Sequence, residues 1–407
     1  MKEKGISVVV PYHNDVETIA ACLDAIYVSW LELPPSLKPC CEVLVVDDKS
    51  SMPAIDQLQG GVVVSERDLS HPSSDFASWI RRQLWTSVQD TKLPTMPLKT
   101  IHSLHFESAE GGLKGCEAET RSARELRHPG DSLEDLPLRI LKMSKNLGVG
   151  NARNQGAREA RFSHLLFLDS DVLLSKGYLA YVFAQLESHP EIKVMQGPFD
   201  KHPANPNPTI FQRYMALTWH FGITQEIRGG FLQSGCAVVD RLYFHSLGGF
   251  VPSYKGSGGE EYDIVARMPH GTIWHDDNLL SFHHYDALGE RLKKLIKRGM
   301  NFTETVGKNP NVPVFYKWIA GFKAFCACAM SLCLLLAVYD IRLALIAYLF
   351  LAGMFLIVNA RLVTFVARYG SVPLALLSVF FNQLEYTTVV IAMALDAVGL
   401  NSNVQRT

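Results

Sequence analysis

Asp169-Ser170-Asp171 places two carboxylates one residue apart, directly after the apolar run Leu165–Leu168. Carboxylates at that spacing can address one hard cation and its neighbour. Mg²⁺ and Mn²⁺ take oxygen ligands, commonly one or two carboxylates completed by substrate phosphate. An Asp-x-Asp also arises by chance in loops, so its value here comes from its place at the end of an apolar run. Asp47-Asp48 follows Val43–Val46 in the same way. A further acidic cluster, Gly258-Gly259-Glu260-Glu261-Tyr262-Asp263, sets glycines before carboxylates. Glycines let backbone approach a ligand closely. Acids also favour the first turn of a helix for electrostatic reasons alone, and both readings stand. His283-His284 follows Leu279–Phe282; paired histidines serve as metal ligands or simply as surface residues.

The stretch Asn146-Leu147-Gly148-Val149-Gly150-Asn151-Ala152-Arg153 invites a dinucleotide-loop reading. The third glycine of G-x-G-x-x-G would fall at 153, which is Arg153, so that reading fails. Glycine-rich backbone ahead of a helix still suits phosphate or sugar, and Arg153 can pair with an anionic donor.

These groups need elements to hold them. Ile6–Val10 is a continuous β-branched run, as in a strand buried on both faces of a parallel sheet. Asn14 and Glu17 have capping-box spacing. Ile19, Cys22, Leu23, Ile26, Tyr27 and Trp30 then share a helical face, ended by Pro34-Pro35. With Val43–Val46 this predicts a right-handed βαβ unit. Residues 50 to about 136 mix Ser, Pro, Gly and charge, and read as an insertion, partly helical and partly without a fold of its own. Leu138–Met143, Leu165–Leu168, Ile192–Met195 and Cys236–Val239 are strand candidates, and Asn151–Arg161 is helical. The alternation predicts an α/β fold with a doubly wound, mostly parallel Rossmann-like sheet. Ligands in such sheets sit beyond the carboxyl ends of the strands. Asp47, Asp48, Asp169 and Asp171 all fall on that edge.

Composition limits what the chain can be. Its 407 residues suffice for one large domain and an appendage, and a formal net charge of −1 gives no field that would draw nucleic acid. Eight scattered cysteines without a CxxC pair suit a reducing compartment. Nothing at the start resembles a signal peptide. Three apolar segments, near 318–339, 343–360 and 372–395, each approach the roughly 20 residues a spanning helix needs. Lys293, Lys294, Lys297, Arg298 and Lys317 precede the first. Arg361 and Arg368 separate the second from the third, and Arg342 alone lies between the first two. The positive-inside rule then puts the N-terminal domain in the cytoplasm. Glu385 in mid-membrane is costly unless it faces protein or a polar cavity, or unless the third segment is re-entrant or interfacial. Asp286–Met300 carries Leu288, Leu292, Leu295 and Ile296 on one face amid basic residues, the pattern of a helix on an anionic membrane surface or of an ordinary solvated helix.

Ile6–Asn14, Cys41–Ser50, Asn146–Ala160, Leu165–Asp171, Ser234–Phe250 and Gly258–Arg267 occur in the order typical of family 2 glycosyltransferases, and the chain resembles that family over most of residues 5–300, apart from the 50–136 stretch. The resemblance implies the GT-A fold, a nucleotide-diphosphate sugar donor and an inverting transfer. It implies that Pro11, Asp47, Asp48, Asn146, Gly150, Arg153 and Asp169 meet the nucleotide sugar. Asp171, with Asp169 and one of His283 and His284, would hold Mn²⁺ or Mg²⁺. Glu261 stands where the family has its catalytic Asp, with Glu260 or Asp263 as alternatives. Processive members carry Gln-x-x-Arg-Trp after the acidic cluster. Here that region reads Glu290-Arg291-Leu292-Lys293-Lys294, and Gln225-Glu226-Ile227-Arg228 is followed by Gly229. A single-sugar transfer is therefore expected.

The expectation is a GT-A domain over 1–285, an interfacial helix and linker over 286–312, and a transmembrane region of about three helices over 313–400. It would be a multi-pass protein of the inner (cytoplasmic) membrane with its catalytic domain cytoplasmic. It would be a metal-dependent hexosyltransferase-like enzyme of cell-envelope polysaccharide or glycolipid synthesis. The donor would be a UDP-sugar by preference, and the acceptor a lipid-linked glycan among membrane lipids. The alternatives are transfer directly to polyprenyl phosphate and a non-catalytic membrane protein that binds nucleotide sugar.

Overall fold

A computed structural model describes residues 3–50, 138–226, 230–251, 260–296 and 314–397. Apart from Ser50, the expected insertion lies outside the described residues. So do Gly258, Gly259 and 297–312.

The chain divides into two units: Met1–Pro198 with Gln233–Pro252 and Gly271–His283, and Phe199–Leu232 with Ser253–His270 and His284–Thr407. In chain order the helices are α1 (Val16–Leu31), α2 (Val149–Glu159), α3 (Tyr178–Ser188), α4 (Ile210–Phe221), α5 (Arg241–Ser246) and α6 (Glu260–Ala266). They continue with α7 (residues 288–296), α8 (Val314–Leu336), α9 (Ile341–Tyr369) and α10 (Val372–Ala397).

The first unit is built on a sheet. Among the described residues its order is β3 (Leu138–Lys142), β2 (Cys41–Asp47), β1 (Ile6–Tyr12), β4 (His164–Leu168), β7 (Cys236–Asp240), β6 (Val194–Gln196), β8 (Ile273–His275). The first four are mutually parallel, as their continuous apolar runs require. β7 runs against both β4 and β6, so the sheet is mixed. β1 and β2 are buried along their full length. The helix α2 lies directly on them: a Cβ added at Gly156 would meet Val9 Cγ1 at 2.3 Å. A side chain there would therefore push the helix off the sheet.

The expected capping box does not form. Helix α1 starts at Val16, and the residue at its cap, Asp15, makes no capping bond. Its carboxylate accepts instead from Ser170 Oγ at 2.7 Å. Asn14 takes φ 61°, a region Asn tolerates, and its N–H donates to Ser50 Oγ. The long-range polar contacts of the rim outcompete the local one.

In the second unit, α4 opens with a capping box between Thr209 and Gln212 and ends in a π-helical turn, Gly222–Glu226. Among the described residues three helices are long and apolar enough to cross a membrane: Lys317–Leu336, Ile341–Tyr369 and Val372–Leu395. The 29-residue α9 reaches two turns beyond its expected apolar segment. At 1.5 Å per residue it is about 43 Å long, more than a hydrocarbon core of about 30 Å. Its end packs on α4, where Leu362 and Val366 join Phe211, Tyr214, Met215 and Leu217. Leu288 of α7 packs on the same cluster and Leu295 is buried, while Ile296 is exposed, so the apolar face of this helix is turned partly to protein.

The charge flagged at Glu385 is satisfied, and α10 runs unbroken around it. Arg291 Nε donates to Glu385 Oε1 at 2.8 Å, and Tyr214 Oη donates to Oε2 at 2.9 Å. Both charged partners are mostly enclosed. Breaking an enclosed pair from one side strands the other charge, typically for about 3 kcal/mol or more. Glu385→Ala is expected to lower the melting temperature of the detergent-purified protein clearly. Adding Arg291→Met should restore most of the loss, and a double variant no better than the single would refute the pairing.

Asp24 of α1 is buried, and burial pushes its carboxyl up to about 7. Its ordinary value is 3.8, so between that value and about 7 the folded chain holds a proton that the unfolded chain has lost. Stability therefore falls as pH rises through that window. Asp24→Asn should flatten the slope and raise stability at pH 8 by roughly 2–4 kcal/mol. Parallel pH profiles of wild type and variant in thermal melts would contradict this.

Candidate active site

The parallel strands deliver their carboxyl ends to one rim, where the acidic pairs emerge. β1 and β2 align so that Tyr12 faces Asp47. Asp47 and Asp48 are both buried. Asp47 Oδ1 accepts from the N–H and the hydroxyl of Ser50, at 2.8 and 2.7 Å, which closes the turn leaving β2. Asp48 reaches across to the loop before α2 and accepts from the N–H groups of Leu147 and Gly148, at 2.8 and 2.7 Å. Gly148 has φ 90°, where other residues are strained. Thus Asp48 shapes the loop that carries Asn146 and leads into α2, whose second residue is Gly150.

His13 completes this corner, and sequence reasoning missed it. Its Nδ1 lies 3.0 Å from the Asp48 carbonyl oxygen. A carbonyl only accepts, so Nδ1 carries the proton and Nε2 accepts from Asn146 Nδ2 at 3.1 Å. The available signal was position: His13 stands one residue past the end of β1, beside the flagged Pro11, which is buried within the strand. Tyr12 is enclosed below. Burial, with Asp47 and Asp15 nearby, pushes its phenol up to about 12, so it stays protonated.

At the end of β4 the two acids of Asp-x-Asp part company. Asp169 Oδ1 pairs with Arg153 Nη2 at 2.6 Å. Arg153 is buried one turn into α2, with its guanidinium 5.5 Å from the centre of the Phe250 ring. Phe250 is fixed in turn by Asn154, which donates to its carbonyl at 2.7 Å and accepts from its N–H at 2.9 Å. Asp171 stands just before β5 (Val172–Leu174), which pairs antiparallel with β9 (Ser281–His283), setting Val172 opposite His283. His283 Nε2 therefore comes 3.6 Å from Asp171 Oδ1. Of the two histidines, His283 is the one brought to Asp171; His284 opens the next stretch of the second unit. Below them Cys22 donates to the Asp169 carbonyl. Burial and the two aspartates push this thiol well up, so it stays protonated.

Asp171 offers the carboxylate oxygen that Mn²⁺ and Mg²⁺ take, and His283 a nitrogen donor beside it, of the kind softer divalent cations accept. Among the described residues no group of three His, Cys, Asp or Glu side chains forms a cage.

The second acidic cluster belongs to the second unit, on α6. Glu260 is buried there, and Asp263 Oδ2 pairs with Arg267 at 2.6 Å, four residues on. Glu261 is half-buried.

Residues 120–244 match the family model described as Glycosyl transferase family 2. The chain carries a family 2 glycosyltransferase domain. The matched residues of the domain include Arg153, Asp169 and Asp171. No curated protein matches the chain. Among solved structures it is similar to the mannosyltransferase PcManGT from Pyrobaculum calidifontis in complex with GDP-Man and Mn²⁺. Identity there is 15% over 96% of this chain and 87% of that one, with a TM-score of 0.47. It is also similar to residues 1–349 of S. aureus TarS, at 13% identity over 97% of this chain and 92% of that one, TM-score 0.38. GalNAc-T7 with UDP, GalNAc and Mn²⁺ gives 15% identity over 70% and 45%, TM-score 0.40.

The Asp48 clamp on the glycosyltransferase domain's glycine-rich loop is directly testable. Asp48→Ala leaves two inward-facing N–H groups without an acceptor, which costs about 2–3 kcal/mol for a buried, charge-assisted arrangement. Amide exchange at Leu147 and Gly148 should accelerate strongly in this variant. Unchanged protection at both amides would show that the clamp carries no load.

Proposed function

We propose that the protein is a metal-dependent, inverting, non-processive glycosyltransferase. It moves one sugar from a nucleotide-diphosphate donor, by preference a UDP-sugar, to a membrane-associated acceptor, best read as a lipid-linked glycan. The observation that carries this reading is the meeting of Asp171 and His283 at the carboxyl rim of the sheet, beside the Arg153–Asp169 pair. Three apolar helices supply the membrane side of the proposal, with the catalytic region of residues 1–285 on the cytoplasmic face.

In this reading Asp171 and His283 hold the divalent cation, which neutralises charge on the departing diphosphate when bound. Arg153 and Asp169 border the donor. Arg153 is held in one orientation by the Phe250 ring and by Asp169, and an anionic group would share or compete for that pair. His13 and Asn146 offer an exposed polar edge next to the Asp48 corner for the nucleoside. Glu261 takes the proton from the acceptor hydroxyl as it attacks, a role that needs a carboxylate partly open to substrate. Asp263 is bound to Arg267 and Glu260 is enclosed, which favours Glu261 over its neighbours. One displacement inverts the anomeric centre.

The test combines metal, nucleotide and substitution. UDP with Mn²⁺ should raise the melting temperature of the wild type, by the equivalent of about 2.7 kcal/mol at a hundredfold excess over Kd. Asp171→Ala and His283→Ala should lose that shift and the transfer of radiolabelled sugar, with the fold intact. His284→Ala should keep the shift. An Asp171→Ala variant with undiminished turnover would overturn the metal role. A wild type that shifts with donor yet never transfers or hydrolyses sugar would leave only a binding protein.

A further inference from the structure

The second unit contains a lysine where an apolar helix should have none. Lys323 lies inside α8, within the segment Lys317–Leu336 that is apolar enough to span. Its side chain is 4% exposed. Trp318 is 76% exposed and stands five residues earlier on the same helix. Exposed tryptophans settle at the headgroup level of a bilayer. Lys323 would then lie about 7.5 Å deeper, at 1.5 Å per residue. An ionisable group at such depth is costly and points to a functional contact.

Its surroundings are specific. Lys323 Nζ approaches Glu226 Oε1 at 3.4 Å, longer than the 2.7–2.9 Å typical of a charge-assisted bond. An ammonium has three donors, and among the described residues Glu226 is the one acceptor in reach. Arg361, on α9, donates to Gln225 Oε1 at 3.2 Å. Gln225 and Glu226 are consecutive and close the π-helical turn Gly222–Glu226. Two cations from two different spanning helices thus converge on one short turn, against a single carboxylate. Turns of this type are frequent at functional sites.

We propose that Lys323 and Arg361 bind the phosphate of a membrane lipid, with Gln225 and Glu226 as the groups that the phosphate displaces. A phosphate offers several acceptor oxygens and matches the guanidinium fork of Arg361 as well as the ammonium point charge. Glu226 is 27% exposed and can turn to solvent when the anion arrives. The depth of Lys323 selects a phosphate carried on a lipid over one dissolved in water. The inference rests on the membrane-acceptor reading for its orientation and names the chemistry by which that acceptor is held.

The test uses the full-length protein in phosphatidylcholine nanodiscs, doped with phosphatidic acid or with a long-chain polyprenyl phosphate. Retained lipid is read by native mass spectrometry, without any transfer reaction. Wild type should retain at least one of the two phosphate lipids above the undoped background, and the lipid retained identifies the source. Lys323→Gln and Arg361→Gln should each weaken retention about tenfold, and Lys323→Arg should preserve it. Glu226→Gln removes the competing carboxylate without emptying the site and should tighten retention. Asp171→Ala should bind lipid as wild type does, which separates failure here from failure of the catalytic reading. Equal retention in Lys323→Gln and wild type, no tightening in Glu226→Gln, or displacement of the lipid by millimolar inorganic phosphate would each overturn the proposal.

Discussion

The arrangement at the rim depends on one constraint: several carboxylates emerge from neighbouring strands, and each needs a hydrogen-bonding or charged partner of its own. Asp47 and Asp48 leave β2, and Asp169 and Asp171 leave β4, with only β1 between those strands. Each acid is met differently. Asp47 is held by Ser50, Asp48 by two backbone N–H groups, Asp169 by Arg153 and Asp171 by His283. The first two are neutral donors that orient a buried carboxylate. The third is a full countercharge. The fourth is an imidazole at 3.6 Å, longer than a good hydrogen bond. The metal role proposed above is placed at this corner because a carboxylate and an imidazole from separate strands face each other there.

The same constraint operates in the second unit, with the signs balanced by other means. An apolar helix that carries a charge must satisfy it within the protein. Glu385 is satisfied twice, by Arg291 from α7 and by Tyr214 from α4. These bonds also anchor α7, whose apolar face packs on the cluster around Tyr214 and Leu217. The amphipathic pattern of residues 286–300 is therefore spent partly on protein. A hydrophobic face alone does not say whether lipid or another helix will cover it.

How much was legible in the sequence follows from this. Buried strands were, because β-branched runs such as Ile6–Val10 and Val43–Val46 suit nothing else at that length. The apolar tail was, because three segments of nearly spanning length leave few alternatives. The Asp-x-Asp stood out for its place after β4. Other features depended on partners far away in sequence. Asn14 and Glu17 have the spacing of a cap, but Asp15 is drawn to Ser170, 155 residues away, and the local bond is lost. The approach of His283 to Asp171 comes from the pairing of β5 with β9, which no spacing rule announces. His13 was passed over because its meaning comes from the Asp48 carbonyl and Asn146. The π-helical turn after α4 left no mark in hydropathy at all.

One consequence concerns how a donor would be admitted on the proposed reading. Arg153 is paired at 2.6 Å with Asp169, so the guanidinium that would face a diphosphate is already engaged. An incoming anion does not find a bare charge; it competes with, or shares, an existing pair. That makes entry less favourable than a free arginine would, but it keeps Arg153 in one orientation, fixed from behind by Phe250 and Asn154. Preorganisation of this kind trades some ground-state affinity for geometry that does not have to be assembled at the moment of reaction. It also explains the division of labour within the Asp-x-Asp. Asp169 aligns an arginine and Asp171 faces His283, so two identical side chains, one residue apart, are set to different uses because the chain turns them toward different partners.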